Sequence, residues 1–356
     1  MTEAAGLHRC SHQVVPLGTP VARAPYRTID VHCHAFSAAA EALVAGHPLR
    51  QSAAAAEAAA LGPASQAVNA ERAAALAPRL IGVEERLHDM DVMGVDIQLI
   101  SPSPTQYHYW AEPDLAERMT DAINDHIAQL CAAHPDRLLG LGTVALQHPE
   151  TAARQLDALM RGRHGFKGVE ISSLVDGADV ADRRFDPFWA KAEELGAVVF
   201  IHPWGTSLGT RLSDHYLMNT VGQPFETTVC LSKLIFGGTL DRHPGLKLIA
   251  AHGGGYLPLV SGRSDHAHAA RPEATGCACL PSSYLRRIWF DSIVHGPRHL
   301  ERLAEEIGAD RIVIGTDYPF DMGHYDPASL VAGFDEDDRK RILGGNAAAL
   351  LGLDPA

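Results

Sequence analysis

The chain has 356 residues, 46% hydrophobic and 21% charged, the proportions of a globular protein with a packed core rather than of a disordered one. Its 30 Lys and Arg against 43 Asp and Glu leave a formal net charge of -13, which excludes nucleic acid and anionic membrane as bulk partners, since both select a basic surface. No apolar run is long enough for a membrane span or shaped like a secretory leader, and the six cysteines (Cys10, Cys33, Cys131, Cys230, Cys277 and Cys279) follow no disulfide framework, so a cytoplasmic protein with reduced thiols is expected.

Residues 1–24 read as an extension without chemistry that crosses the far end of the fold or hangs free. From residue 25 onward, short apolar runs recur at Thr28–Val31, Asp96–Ser101, Leu138–Thr143, Lys167–Ile171, Ala197–His202, Leu246–Ala251, Ile288–Asp291 and Arg311–Thr316. Most lack polar alternation, the pattern of parallel strands covered on both faces. Helical patterns lie between them, at Pro149–Arg161, Asp186–Leu195, Glu226–Leu240 and Pro297–Ile307. This alternation predicts an α/β fold of the (β/α)8 TIM-barrel type over 25–356. The interval between the first two strands exceeds what a minimal barrel needs. Residues 52–60 and 70–77 are Ala-rich and Gly62-Pro63 separates them, so two helices are expected in an insertion of about 37–82, serving as a lid over the catalytic face or as a solvent-facing pair.

The strongest local signal is Ile29-Asp30-Val31-His32-Cys33-His34, where a strand ends in two histidines one residue apart. Alternate strand residues share a face, so His32 and His34 can hold one metal at the barrel mouth. A lone strand-end histidine is more often structural, but the fifth run ends in His202-Pro203-Trp204 and the eighth in Gly315-Thr316-Asp317-Tyr318-Pro319-Phe320, which bring an imidazole and a carboxylate to the same rim. The sixth run ends in His252-Gly253-Gly254-Gly255, where His252 reads as a second-metal ligand or a general acid/base. Lys167 begins its strand and is poorly placed to bridge two metals, which favours one metal and a free His252. The aromatic residues Tyr107, Tyr109, Trp110, Trp204 and Phe320 near the expected mouth suit a flat conjugated ligand, or core packing.

The ordered set His-x-His, His-Pro-Trp, Ala-His-Gly-Gly-Gly and Gly-Thr-Asp-Tyr-Pro-Phe resembles the amidohydrolase-2 family, and within it the branch of aminocarboxymuconate-semialdehyde decarboxylases, from about Thr28 to Leu353. The resemblance implies one divalent metal per chain, zinc or else manganese, on His32, His34, His202 and Asp317, with no organic cofactor. It implies that His252 is the acid/base acting with metal-activated water, Asp317 accepting a hydrogen bond in the same site. It places Trp204, Asn219 and Phe320 against the substrate, Asn219 standing where the family carries a tryptophan, and it implies that Arg263 reaches a neighbouring subunit's substrate carboxylate in a homodimer or higher homo-oligomer. The family's arginine after the first strand falls in the rewritten Ala-rich region, where the alignment does not choose between Arg72, Arg79 and another residue. The implied reaction is nonoxidative decarboxylation of a ring-cleavage semialdehyde or related aromatic acid. The same metal cage also suits a hydrolase or hydratase on a related small carboxylate, and a silent binding barrel is a third reading.

Overall fold

The computed structural model describes residues 14–162 and 165–354. Eight parallel strands follow one another around a barrel in chain order: β1 (Ile29–Ala35), β2 (Ile97–Pro102), β3 (Leu138–Gly142), β4 (Phe166–Ile171), β5 (Val198–Ile201), β6 (Lys247–Ala250), β7 (Ile288–Asp291) and β8 (Ile312–Val313). β8 is short because the chain beyond it bridges back to β1, at Asp30 with Ile314 and Cys33 with Tyr318, through Val31 N to Ile314 O and His34 N to Tyr318 O, each 2.8 Å. Those bridges close the barrel. The helices between strands follow the expected order, with α4 (Pro113–Ala133), α5 (Pro149–Gly162), α6 (Asp186–Leu195), α7 (Gln223–Phe236), α8 (Thr239–Arg242), α9 (Leu257–Ala270) and α10 (Pro297–Ile307) after three helices between β1 and β2. The single helix expected over Glu226–Leu240 is two, since Gly238 adopts φ 67 between α7 and α8.

Two apolar layers hold the fold. Ile29, Val31, Leu99, Leu141, Val198, Phe200, Ile249 and Val313 fill the barrel, plugged at its base by Ala347, Leu350 and Leu351 of the last helix. The outer cluster runs between the strands and the surrounding helices and contains Cys33, Ile100, Val169, Ile171, Ile201, Phe290 and Ile314. Strict alternation would send Cys33 inward with Ile29 and Val31. The β1–β2 register instead slips by one residue between Asp30 and Cys33, and this bulge reverses the parity, turning Cys33 outward and both histidines into the mouth.

The insertion comprises α1 (Ala38–Val44), which the sequence pattern did not reveal, and α2 (Pro48–Ile81), and α3 (Glu84–Met93) follows it. The two expected Ala-rich helices are the halves of α2, broken at Gly62 with φ 76 and ψ 162. A Cβ at Gly62 would fall 1.8 Å from the Ser213 carbonyl oxygen, so both the dihedral and the close approach require glycine. The C-terminal half roofs a cavity of about 780 Å³ at the barrel mouth. Of the N-terminal extension, residues 1–13 lie outside the described residues, Val14–Leu17 line this same cavity, and Arg23 and Ala24 reach the opposite end of the barrel beside Asp96 and Arg137.

Candidate metal centre and active site

His32, His34, His202 and Asp317 are all buried, and their donor atoms lie within 4.8 Å of one another. This is the one such group of three or more metal-ligand side chains among the described residues. His32 Nε2 and His34 Nε2 stand 3.1 Å apart, each 3.4 Å from Asp317 Oδ1. The second nitrogen of each ring is engaged from behind: His32 Nδ1 donates to Asp291 Oδ2 at 2.6 Å and His34 Nδ1 to the Pro102 carbonyl at 3.0 Å. These partners orient both rings so that their Nε2 atoms face each other and Asp317, a position that a proton or a metal cation can fill. Neither ring nitrogen of the buried His202 has a hydrogen-bond partner. Imidazole-rich donors with one carboxylate suit zinc and other first-row divalent metals, so the residues present fit such an ion.

The electrostatics agree with that arrangement. Burial alone would lower the His32 imidazolium, but Asp317 and Asp291 overcome it and raise it to about 10. Burial alone would raise the Asp317 carboxyl, but His32 and His34 hold it well below the usual carboxylate range. His202 is pushed well below the ordinary histidine value by burial and by His32 and His34. His252 falls to about 4, through burial and then His32.

His252 lies outside the four-donor group, its ring 5.0 Å from that of His202 and 5.4 Å from that of His32, and its Nδ1 is buried without a partner. Both His252 (φ 57) and Asp317 (φ 56) occupy the left-handed region, where a non-glycine residue stores about 1–3 kcal/mol of strain. Asp317 N donating to His32 O at 2.8 Å holds one of them, and the adjoining glycines make room for the other.

The cavity wall contains Trp204, Asn219 and Phe320 beside His202, His252 and Asp317, and Phe320 packs 5.4 Å from the His34 ring. Tyr107 and Tyr109 are instead stacked on each other behind the site, and Trp110 stacks on His47 at 4.8 Å. Of the two arginines that could not be aligned, Arg79 is tied to Asp89 at 2.7 Å, whereas Arg72 lines the cavity and pairs with Asp321 across its mouth. Arg263 is exposed on α9 and lines neither this cavity nor a second one of about 310 Å³. That smaller cavity shares Asn219, His252, Asp317 and Met322 with the first and opens beside Tyr256 and Leu259.

Residues that the sequence reading gave no role stand directly behind the metal donors. Asp291 ends β7 as Asp317 follows β8, a carboxylate at a strand end that the same reasoning would have flagged. It binds His32 with one oxygen and accepts from Gly253 N at 2.8 Å and Ile293 N at 3.1 Å with the other. Asp30 accepts from His32 N and Thr316 N, both at 3.0 Å, and from Thr316 Oγ1 at 2.6 Å and Gln98 Nε2 at 2.9 Å. The buried Arg86 donates to Gln98 Oε1 at 2.9 Å and to the His34 carbonyl, completing a polar frame against β1.

Residues 29–353 match the sequence profile of the family described as Amidohydrolase. The chain is 38% identical over 277 residues to a 2-amino-3-carboxymuconate-6-semialdehyde decarboxylase of Dictyostelium discoideum, covering 76% of each protein. Among solved structures it is similar to 5-carboxyvanillate decarboxylase of Sphingomonas paucimobilis (27% identity, TM-score 0.77, 92% of this chain and 100% of that one). It is also similar to a dihydroxybenzoic acid decarboxylase of Polaromonas sp. JS666 solved with bound manganese and 2-nitroresorcinol (25% identity, TM-score 0.76, 93% and 98%). With the barrel, the clustered strand-end donors and a match over nearly the whole sequence, the chain belongs to the amidohydrolase family.

Proposed function

We propose that this protein is a metal-dependent nonoxidative decarboxylase, a carboxy-lyase acting on an aromatic acid or a ring-cleavage semialdehyde such as 2-amino-3-carboxymuconate 6-semialdehyde. The observation that carries the reading is the buried group of His32, His34, His202 and Asp317 with His252 standing beside it, open to a cavity walled by Trp204 and Phe320. The relatives named above, all decarboxylases of conjugated carboxylic acids, support it.

His32, His34, His202 and Asp317 would hold one divalent ion, zinc by the preference of imidazole donors, with manganese as the alternative. The ion supplies Lewis-acid polarisation and charge neutralisation at the substrate's oxygen atoms. His252, neutral near pH 7, takes a proton from water and delivers it to the carbon that bears the carboxylate, and the hydroxide left behind is balanced by the CO2 released, which it converts to bicarbonate. The C–C bond then breaks, its electron pair returns to the conjugated system, and CO2 leaves without oxidant or organic cofactor. Trp204 and Phe320 flank a flat ligand, α2 excludes water above it, and Arg72 exchanges Asp321 for a substrate carboxylate. Arg72 thus fills the place of the family arginine that the alignment left open.

Arg263 acts from one protomer on the site of its partner in a homodimer. Tyr256, Leu259 and Val260 are exposed just ahead of it on α9, beside the smaller opening that leads to His252, which supports a docked copy there. The five cysteines among the described residues are unpaired, which supports a reducing, cytoplasmic setting. No helix among the described residues is long and apolar enough to cross a membrane.

The test is CO2 release from a panel of ring-cleavage semialdehydes and hydroxybenzoates, with metal content measured on the same sample. One equivalent of metal and CO2 with a single organic product is expected; two organic fragments from the acid that turns over would overturn the proposal.

A further inference from the structure

Glu170 is a carboxylate in the interior layer of the barrel. It alternates along β4 with Val169 and Ile171, which belong to the outer cluster, so it points inward, level in register with Phe200 and two residues before His202 on the neighbouring strand. Its side chain is fully buried. One oxygen accepts from the Tyr107 hydroxyl at 2.7 Å, and the same hydroxyl lies 3.3 Å from the His202 carbonyl. The other oxygen, Oε2, has no hydrogen-bond partner and lies 3.6 Å from His34 Nδ1. The Ser101 hydroxyl donates to Cys33 O at 3.1 Å, and its pull on Glu170 does not offset the burial that raises this carboxyl.

A carboxylate with an orphaned oxygen in an apolar layer is costly unless a positive charge is near. The His34 ring directs its Nδ1 proton at Pro102 O and not at Glu170. A dication on the far side of that ring offers a great deal. We propose that Glu170 is a positioning residue of the metal centre, stabilising the bound dication by its negative charge through His34 as Asp291 does by hydrogen bond through His32, with Tyr107 holding the carboxylate in place. Each histidine of β1 then has its own carboxylate behind it, and the centre carries more negative charge than its single anionic donor, Asp317, supplies. This rests on the metal-centre reading above and adds to it a determinant of affinity outside the four donors.

The experiment is a competition titration of the metal-stripped protein with Zn2+ or Mn2+ against a chromophoric chelator, for wild type, His32→Ala, Glu170→Gln, Glu170→Asp and Tyr107→Phe, with thermal melts of each stripped protein. Glutamine keeps the shape and an acceptor for Tyr107 and removes only the charge, so Glu170→Gln is expected to bind metal at least 10-fold more weakly, in the range of about 10- to 100-fold set by groups behind metal ligands. Its metal-free Tm should stay close to that of wild type, because burial already raises the Glu170 carboxyl and the amide keeps an acceptor for Tyr107, and Glu170→Asp should recover part of the affinity. Binding weakened less than 10-fold, or a fall in the metal-free Tm of Glu170→Gln, would overturn the inference and mark Glu170 as ordinary packing. Failure of wild type itself to bind metal, or equal binding by His32→Ala, would overturn the centre as a whole, a result distinct from failure of the Glu170 role alone.

Discussion

Replacing Asp291 by asparagine tests whether the fixed tautomer of His32 makes it a metal donor. In the structure one carboxylate oxygen takes the His32 Nδ1 proton at 2.6 Å and the other takes Gly253 N at 2.8 Å and Ile293 N at 3.1 Å. An asparagine that keeps its oxygen on the two backbone donors presents an NH2 group to His32 Nδ1. Two donors then face each other, and the ring escapes only by moving its proton to Nε2, the atom that faces His34, where it can no longer ligate. If instead the amide flips, the Gly253 and Ile293 amides lose their acceptor and the loop carrying His252 shifts. Either way metal affinity should fall about 10- to 100-fold, equivalent to about 1.4–2.7 kcal/mol. The assay is competitive metal titration of stripped protein. Binding within threefold of wild type, with the protein folded, would refute the tautomer argument.

His252→Ala should retain stoichiometric metal by elemental analysis yet lose turnover, since its ring stands outside the four-donor group; normal turnover would remove its role. Because burial and then His32 hold its imidazolium down to about 4, the neutral base persists as pH falls, and the acid limb it contributes to kcat/KM should lie below about pH 5, under the ordinary histidine value of about 6.5. A limb near 6.5 that vanishes in His252→Ala would contradict this. Arg72→Ala should raise KM about 10- to 100-fold, the loss of one charge-assisted pair, with metal content unchanged; an unchanged KM in steady-state kinetics would send the substrate carboxylate elsewhere.

The barrel and the clustered donors were legible because both are local signals. Each strand is a short apolar run, and each donor ends one, so order along the chain translates into position around the rim. Two kinds of information were not local. The bulge in β1 that turns His32 and His34 inward leaves no compositional trace, since Val31 and Cys33 are equally apolar. Alternation alone keeps the two histidines together on one face but does not say which face. The groups behind the donors were missed for a related reason: Glu170 drew no reading within its run, because the groups that surround it, Tyr107 and His34, are 63 and more residues away. Tyr107 and Trp110 stayed open between pocket and core because composition cannot tell a cavity wall from the packing behind it. α1 escaped notice because a seven-residue helix offers barely two turns of periodicity.

Asp30 joins the first strand to the segment after the last, through hydrogen bonds that span 286 positions of sequence. Contacts of such separation are among the last a chain can make, because the whole intervening loop must be organised before they are rewarded. The same segment delivers Asp317 to the two histidines, so ring closure and assembly of the donor set are one event in time. In a partly opened chain the histidines of the first strand and the carboxylate after the last are apart, so an ion held by all four side chains would tie the first strand to the last and resist the unfolding step in which they separate.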